Sequence, residues 1–141
     1  MTTQSLTGGC QCGAVRYDVI QAVEQVMHCH CSLCRKTHGA LFASAGIVPV
    51  NAFRLVSGEA ELVDFESTPG THRQFCRVCG CQLFTRVDNW PDEFFINLGS
   101  LDAGQSPGHA PDKERHIFWE SRVGWYDPGD DLPKHTGYGE G

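Results

Sequence analysis

The sequence lacks the long apolar runs and the basic leader that mark membrane and secreted proteins. None of its stretches approaches the ~20 consecutive apolar residues that a membrane span requires. The first nine residues contain neither a basic start nor an apolar segment, so they do not resemble a secretory signal peptide. These absences predict a cytoplasmic protein that does not bind membranes and whose thiols stay reduced.

Positive charge is also scarce. The chain has 11 Lys and Arg against 17 Asp and Glu, which gives a formal net charge of −6. Because nonspecific binding to nucleic acid needs a basic surface, this balance argues against a nucleic-acid-binding protein. No repeat, linker or low-complexity tract divides the sequence, so we expect one domain over residues 1–141, as a monomer or a small homo-oligomer.

Short segments rich in β-branched and aromatic residues alternate with turns that contain Gly or Pro, which predicts a mainly β fold. A short helix is predicted over residues 32–38, ending at Gly39. The tail from Tyr126 is rich in Gly, Pro and Asp and is expected to be irregular. Strands are predicted at residues 14–19, 25–28, 41–48, 53–56, 60–65, 72–76, 82–87, 94–98 and 116–120.

Cysteine is abundant, with eight residues in the chain. In a reducing compartment, closely spaced cysteines are more typical of metal ligands than of disulfides. The Cys10/Cys12 pair and the Cys76/Cys79 knuckle can supply the four thiolates of a structural zinc site. Buried free cysteines and an iron–sulfur site are the alternatives; the first does not explain the ligand spacing, and the common cluster spacings of the second are absent.

Three further cysteines, Cys29, Cys31 and Cys34, lie within six residues, and Cys81 remains unassigned. In one interpretation, Cys81 completes a second structural site with four cysteines. In the other, the three cysteines hold a zinc ion whose fourth position is open, as in catalytic zinc sites. Spacing alone favours neither interpretation.

Motifs covering nearly the whole chain occupy residues 8–17, 29–36, 39–40, 57–59, 73–80, 98–102, 116–118 and 130–133. In this order they resemble the glutathione-dependent formaldehyde-activating enzyme family, which also includes centromere protein V. The resemblance implies a zinc-stabilised, β-tent-like domain with few short helices. It also implies a structural zinc held by Cys10, Cys12, Cys76 and Cys79.

For Cys29, Cys31 and Cys34 the resemblance implies a second zinc with an exchangeable fourth position. We expect this second zinc site to be partly occupied. Cys81 stands where the family commonly has a small residue such as Ser, so it remains a possible fourth ligand. His30 lies between two ligands and is interpreted as a structural or exposed histidine rather than a general acid.

The reaction that the resemblance implies is the addition of the glutathione thiol to formaldehyde, forming S-hydroxymethylglutathione, a carbon–sulfur lyase-type activity. Zinc deprotonates a bound thiol, so we expect glutathione, or a similar thiol, to enter the open position and add to formaldehyde or a related small aldehyde. Arg35, Lys36 and Arg73 are candidate contacts for the glutathione carboxylates. The alternative function is a non-catalytic, zinc-stabilised module that binds a protein partner.

Overall fold

The computed structural model describes residues 5–139. Over this range the chain forms ten β-strands, one α-helix and several single turns of 3-10 helix, which confirms the predicted mainly β fold. The strands are β1 Leu6–Gly9, β2 Arg16–Val19, β3 Gln25–Cys29, β4 Ala43–Pro49, β5 Phe53–Ser57, β6 Leu62–Thr68, β7 Thr71–Cys76, β8 Gln82–Val87, β9 Glu93–Asn97 and β10 Glu114–Ile117; the helix is α1 Ser32–His38.

The strands form two sheets. The smaller has the order β1-β2-β5 and the larger the order β10-β3-β4-β9-β8-β7-β6. Neighbouring strands are antiparallel except for β10 and β3, which run parallel with Ile117 opposite Cys29. The C-terminal part of the chain is therefore joined directly to the strand that leads into the second cysteine group.

One face of the larger sheet packs against the smaller sheet to form the main core. Tyr17 and Phe53 of the smaller sheet contact Phe84 and Phe94 of the larger one, with ring centroids 5.1 Å apart for Tyr17–Phe84 and 4.3 Å apart for Phe53–Phe94. Aromatic pairs at such separations add to the hydrophobic stabilisation of burial.

A smaller apolar cluster lies on the opposite face of the larger sheet. Its buried members are Met27, Ile47, Phe95 and Ile117. Since successive residues of a strand point to opposite faces, Phe95 faces away from the main core that Phe94 joins. This second face is the one that adjoins the three-cysteine group, because Cys29 also packs against the cluster.

Helix α1 begins and ends as the sequence predicts. Cys31 is its N-cap residue, and the Cys31 sulfur accepts a hydrogen bond from the backbone N–H of Cys34 at 3.3 Å. Gly39 ends the helix at φ 58°, a left-handed conformation that glycine adopts without the steric cost of a side chain. The N-cap geometry holds Cys31 and Cys34 on the same turn.

Two elements differ most from the sequence prediction. Residues 59–61 form a 3-10 turn, so β6 starts at Leu62 and extends to Thr68. Strand β10 ends at Ile117 because Phe118 adopts a left-handed conformation, with φ 52°, and residues 119–121 form a 3-10 turn. Among the residues described, no helix is long and apolar enough to cross a membrane.

Candidate metal centres and the adjoining cavity

The first cysteine group contains Cys10, Cys12, Cys76 and Cys79, whose sulfur atoms all lie within 4.8 Å of one another. The sulfur of Cys12 is 3.6 Å from that of Cys10 and 3.8 Å from that of Cys76. Tetrahedral zinc with Zn–S bonds of about 2.3 Å places its ligand sulfurs ~3.8 Å apart. The donor type, number and spacing of this group therefore fit a four-coordinate zinc ion.

Local backbone geometry orients these four thiols. The backbone N–H of Val15 donates to the Cys10 sulfur at 3.2 Å, and that of Val78 donates to the Cys76 sulfur at 3.4 Å. Backbone N–H groups of Cys12 and Cys81 lower the pKa of Cys79 to about 6. Because such donors favour the thiolate, they favour the form of cysteine that binds metal.

The knuckle turn between β7 and β8 has the conformation expected from its sequence. Gly80 has φ 78°, and its backbone N–H donates to the carbonyl of Cys76 at 2.8 Å. In a second backbone hydrogen bond, the N–H of Cys76 donates to the carbonyl of Cys81 at 3.0 Å. This tight turn directs Cys76 and Cys79 toward the same point.

The second group contains Cys29, Cys31 and Cys34, whose sulfurs also lie within 4.8 Å of one another. Cys29 ends β3, Cys31 caps helix α1, and Cys34 lies in the first turn of that helix. Contacts with Cys29 and Cys34 lower the pKa of Cys31, whereas contacts with Cys31 and Cys34 raise the pKa of Cys29. The group therefore favours a thiolate at Cys31, and its three sulfurs fit three ligands of one metal ion.

Cys81 does not join this group. Its sulfur is absent from the three-cysteine cluster and lies 3.9 Å from the carbonyl of Gln82. The thiolates that raise the pKa of Cys81, after burial, are Cys79, Cys10 and Cys76, which belong to the first group. The structure thus brings three cysteines together at the second group, and Cys81 lies beside the first.

Of the three candidate cations, only Arg73 reaches the three-cysteine group in the part of the chain described. Its side chain is buried, and its two Nη atoms lie 3.7 and 3.8 Å from the Cys34 sulfur. Its Nε donates to the Ser67 hydroxyl at 2.9 Å. Arg35 instead donates to the carbonyl of His30 at 3.2 Å, and Lys36 is exposed.

A cavity of about 190 Å³ adjoins the three-cysteine group. Cys29, Cys31, Cys34 and Arg73 line one part of it, and the rest is lined largely by apolar side chains with a few neutral polar ones. Neither Arg35 nor Lys36 lines it. The three sulfurs and one buried cation therefore face a mostly apolar space.

A histidine chain behind the second group was not predicted from the sequence. His30 is 2% exposed, and its Nε2 lies 2.8 Å from Nδ1 of His116, which is 1% exposed. Nε2 of His116 lies 2.9 Å from a carboxylate oxygen of Asp130. Burial and then His116 lower the pKa of His30 to about 4, so His30 is neutral near pH 7. The one sequence signal for this histidine chain was that residues 116–118 and 130–133, which contain His116 and Asp130, both belong to motifs that carry the family resemblance.

Sequence reasoning also missed Tyr138, because it lies in the tail expected to be irregular. Its ring packs edge-on against Phe118 and Trp90, with centroids 4.8 and 5.2 Å away, and it lines the cavity. Burial, followed by the nearby Cys29 and Cys31 thiolates, raises the pKa of its phenol. An aromatic residue within a Gly-rich tail was the only signal for this role.

Comparison with known proteins gives consistent results. The model of the glutathione-dependent formaldehyde-activating enzyme family matches residues 5–121. A Halomonas elongata relative, described as a candidate enzyme of this type, is 28% identical over 127 residues, covering 85% of this chain and 78% of its own. Fungal relatives with the same description are 35% identical in Phaeosphaeria nodorum and 36% identical in Penicillium rubens.

The fungal matches cover 84% and 88% of this chain but only 55% and 59% of the relatives, so the chain spans little more than half of their length. A crystal structure of a Rhodobacter sphaeroides protein is similar in fold, with a TM-score of 0.58 and 27% identity, covering 71% of this chain and 91% of that one. The chain therefore belongs to the glutathione-dependent formaldehyde-activating enzyme family.

Proposed function

We propose that this protein is a zinc-dependent enzyme that joins a thiol such as glutathione to formaldehyde or a related small aldehyde. The observation that carries the proposal is the three-cysteine group facing a cavity, with Cys81 outside the group. A closed four-cysteine site has no position for a substrate, whereas three ligands leave one open. The names of the family and of its relatives support glutathione and formaldehyde as the substrate pair.

Two zinc ions have different roles in this proposal. Cys10, Cys12, Cys76 and Cys79 would hold a structural ion between the β1–β2 turn and the β7–β8 knuckle. Cys29, Cys31 and Cys34 would hold the second ion, which supplies a position at which a thiol loses its proton. The assignment rests on the sulfur spacing and on the backbone N–H donors at Cys10, Cys76 and Cys31.

The bond changes of the reaction are simple. The thiolate sulfur attacks the carbonyl carbon, a C–S bond forms, and the C=O π electrons become an alkoxide that takes up one proton. The proton lost by the thiol balances the one gained by the alkoxide, so no oxidant or reductant is needed. The reverse reaction breaks the same C–S bond, which agrees with a carbon–sulfur lyase.

Arg73 contributes positive charge where this reaction needs it. Its guanidinium donates to the Cys34 sulfur and so offsets the negative charge of three thiolates. The guanidinium has five N–H donors. Nε–H donates to Ser67, and the Nη–H groups that do not face Cys34 can donate hydrogen bonds to a substrate carboxylate. Arg35 and Lys36 do not line the cavity, so we assign the carboxylate contact to Arg73 alone.

The cavity supports the reaction by limiting water. Apolar side chains cover much of its wall, including Met27 and Phe95, which are each 6% exposed. Electrostatic interactions between the thiolate and Arg73 are stronger in such a space than in bulk water. Because the cysteines must be reduced to act, we expect the protein to work in a reducing compartment such as the cytoplasm.

X-ray absorption at the zinc edge tests this function directly. The zinc-loaded protein is titrated with glutathione to millimolar concentration, and the average sulfur coordination of zinc is measured. We expect it to rise in the wild type and to stay constant in Cys34→Ser, which retains the first group. An unchanged sulfur shell in the wild type would reject thiol binding and would favour a non-catalytic, protein-binding module.

A further inference from the structure

The cavity beside the three-cysteine group is larger than formaldehyde requires. Formaldehyde is close in size to a water molecule, which occupies about 30 Å³ in the liquid. The cavity measures about 190 Å³. Apolar protein cavities of about 150 Å³ hold a benzene molecule. The space therefore matches an apolar group of benzene size in addition to the reacting atoms.

The wall of the cavity is apolar because it is built from the second hydrophobic cluster. Met27, Phe95 and Ile117 are buried members of that cluster, and Val87 and Phe118 pack against it. All five line the cavity. Met side chains adapt to ligands of different shape, so Met27 suits a site that accepts a varied apolar group.

Aromatic side chains form one wall of the cavity. Tyr138 lies against both Trp90 and Phe118, and all three line the cavity. Phe118 has a left-handed backbone, which is rare for a bulky residue, and such conformations are enriched at functional sites. The backbone N–H of Phe118 donates to the carbonyl of Gly137 at 2.7 Å, which joins the tail to this wall.

The tail that carries Tyr138 follows the part of the chain that the family model matches. The family match ends at residue 121, so Tyr138 lies outside it. Trp90 and Tyr138 are also partly exposed, at 37% and 50%, as is Leu33 at 44%, which lines the cavity on the cysteine side. The two rings therefore border an open part of the cavity and would contact a substituent bound there.

Charge sets a second limit on the substrate. In the described range, Arg73 is the one Lys or Arg side chain that lines the cavity, and the other polar lining groups include Thr71, Thr85 and Asn97. Glutathione carries two carboxylates, whereas Arg73 can pair with only one anionic group in the cavity. The inner cavity thus suits the uncharged part of a substrate.

We propose that the cavity binds an apolar substituent of about benzene size, carried by the thiol–aldehyde adduct. The substrate class is then aromatic or branched aldehydes, or thiols with such a group, rather than formaldehyde alone. This inference rests on the proposed function, since it places the reacting sulfur at the three-cysteine group. Tyr138 and Trp90 select for the substituent by contacting it in the cavity.

Calorimetry on the zinc-loaded protein tests the inference with two ligand series. The first compares phenylmethanethiol with ethanethiol, and the second compares benzaldehyde with acetaldehyde in the presence of glutathione. We expect the aromatic member of at least one series to bind about tenfold tighter or more. The series that shows the gain identifies whether thiol or aldehyde carries the substituent.

A cavity-filling variant provides the matched control. Ala45 lines the cavity, so Ala45→Leu should abolish the preference for the aromatic ligand, whereas Ala60→Leu at an exposed site should retain it. Zinc content and circular dichroism of both variants check that each is folded. Equal affinities within both series in the wild type would overturn the inference, as would an aromatic preference that persists in folded Ala45→Leu.

A ligand without sulfur or carbonyl separates this inference from the proposed function. Benzyl alcohol should shift the NMR signals of the Met27 and Ile117 methyl groups, which line the cavity. If thiols leave the sulfur coordination of zinc unchanged but benzyl alcohol shifts these methyls, the proposed function fails and the apolar site stands. If thiols bind zinc but neither aromatic series gains affinity, the apolar site fails and the proposed function stands.

Discussion

His30 and His116 form a direct imidazole pair, with Nε2 of His30 2.8 Å from Nδ1 of His116. Asp130 fixes the direction of this bond, because an ionised carboxylate only accepts and Nε2 of His116 must donate to it. When His116 is neutral, its Nδ1 then accepts from Nε2–H of His30. The chain starts at a carboxylate near the surface and ends between two cysteines of the second group.

Replacing Asp130 by Asn should disturb the tautomers of both histidines. The amide can donate as well as accept, so His116 is no longer required to carry its proton on Nε2. We expect the imidazole 15N shifts of His30 and His116 to indicate mixed tautomers in Asp130→Asn. Asp131→Asn, at the exposed neighbouring residue, should leave them as in the wild type. If Asp130→Asn kept the wild-type tautomers, the Asp130 carboxylate would not be the group that fixes them.

Replacing His116 by Leu should reduce stability more than replacing His72 does. His116→Leu leaves Nε2 of buried His30 without an acceptor, which costs about 1–3 kcal/mol. His72 pairs with exposed carboxylates, including Asp64 on the edge strand of the larger sheet, so His72→Leu should cost less than His116→Leu. Urea denaturation measures both values; equal losses would contradict the importance of the buried pair.

Arg73→Gln should weaken the second metal site without affecting the first. The variant removes the guanidinium that donates to Cys34, and such neighbours of metal ligands commonly change affinity by about 10–100-fold. Competition with a chelator measures the two zinc affinities. Arg86→Gln, at a more exposed arginine that pairs with Asp88, is the control and should change neither affinity. Full second-site affinity in Arg73→Gln would show that Arg73 does not support the metal ligands.

Cys76→Ser and Cys81→Ser should differ sharply in zinc content and thermal unfolding, although a backbone hydrogen bond joins the two residues across the knuckle turn. Cys76 belongs to the four-cysteine group, and zinc bound at such sites contributes about 10 kcal/mol or more to folding, as much as the whole stability of many domains. We expect Cys76→Ser to lose cooperative thermal unfolding and Cys81→Ser to keep two zinc ions per chain. Loss of the second ion in Cys81→Ser would identify Cys81 as its fourth ligand.

The Arg16–Asp102 pair should stabilise the protein only above acidic pH. Two hydrogen bonds of 2.9 and 2.6 Å from Arg16, and then one from Thr7, lower the pKa of Asp102 to about 2 from an ordinary value of 3.8. A carboxyl with a lowered pKa in the folded state stabilises it above the unfolded pKa, and this contribution is lost as the pH falls from about 4 to about 2.

Asp102→Asn should therefore destabilise the protein at pH 7 by less than about 1 kcal/mol, since both side chains are more than a third exposed and water screens the pair. The difference from the wild type, measured by urea denaturation, should be constant between pH 7 and pH 5 and should decrease below pH 4. A difference that grows toward low pH would show that the pair does not act through the ionised carboxylate.

Most strands and the helix could be predicted because local pattern determines them, but strand β1 could not. Leu6–Gly9 contains two glycines and one large apolar residue, which is not a strand pattern. Its glycine content has a tertiary cause: a Cβ at Gly8 would lie 2.5 Å from the Tyr17 hydroxyl oxygen and 2.6 Å from the Ser100 carbonyl. The sequence shows a glycine but not the ring that requires it.

The two cysteine groupings could be proposed from spacing and family resemblance, whereas their surroundings could not. His30 and His116 are 86 residues apart, and the Tyr138 ring meets Phe118 and Trp90 only after the tail folds back. Such contacts depend on the parallel pairing of β10 with β3, which no local pattern encodes. Arg35 and Lys36 illustrate the reverse: they adjoin the cysteines in sequence but do not line the cavity.

The two cysteine groups also differ in the length of chain that each one closes. The sulfur contact between Cys12 and Cys76 joins residues 64 positions apart, while the second group lies within one short segment. The entropy lost on closing a loop grows with its length, so a crosslink at the first group restricts the unfolded chain far more. If both groups hold metal, release from the first would remove a crosslink between residues 64 positions apart, whereas release from the second would affect one short segment. Ligand exchange at the second group would then leave the long-range crosslink in place.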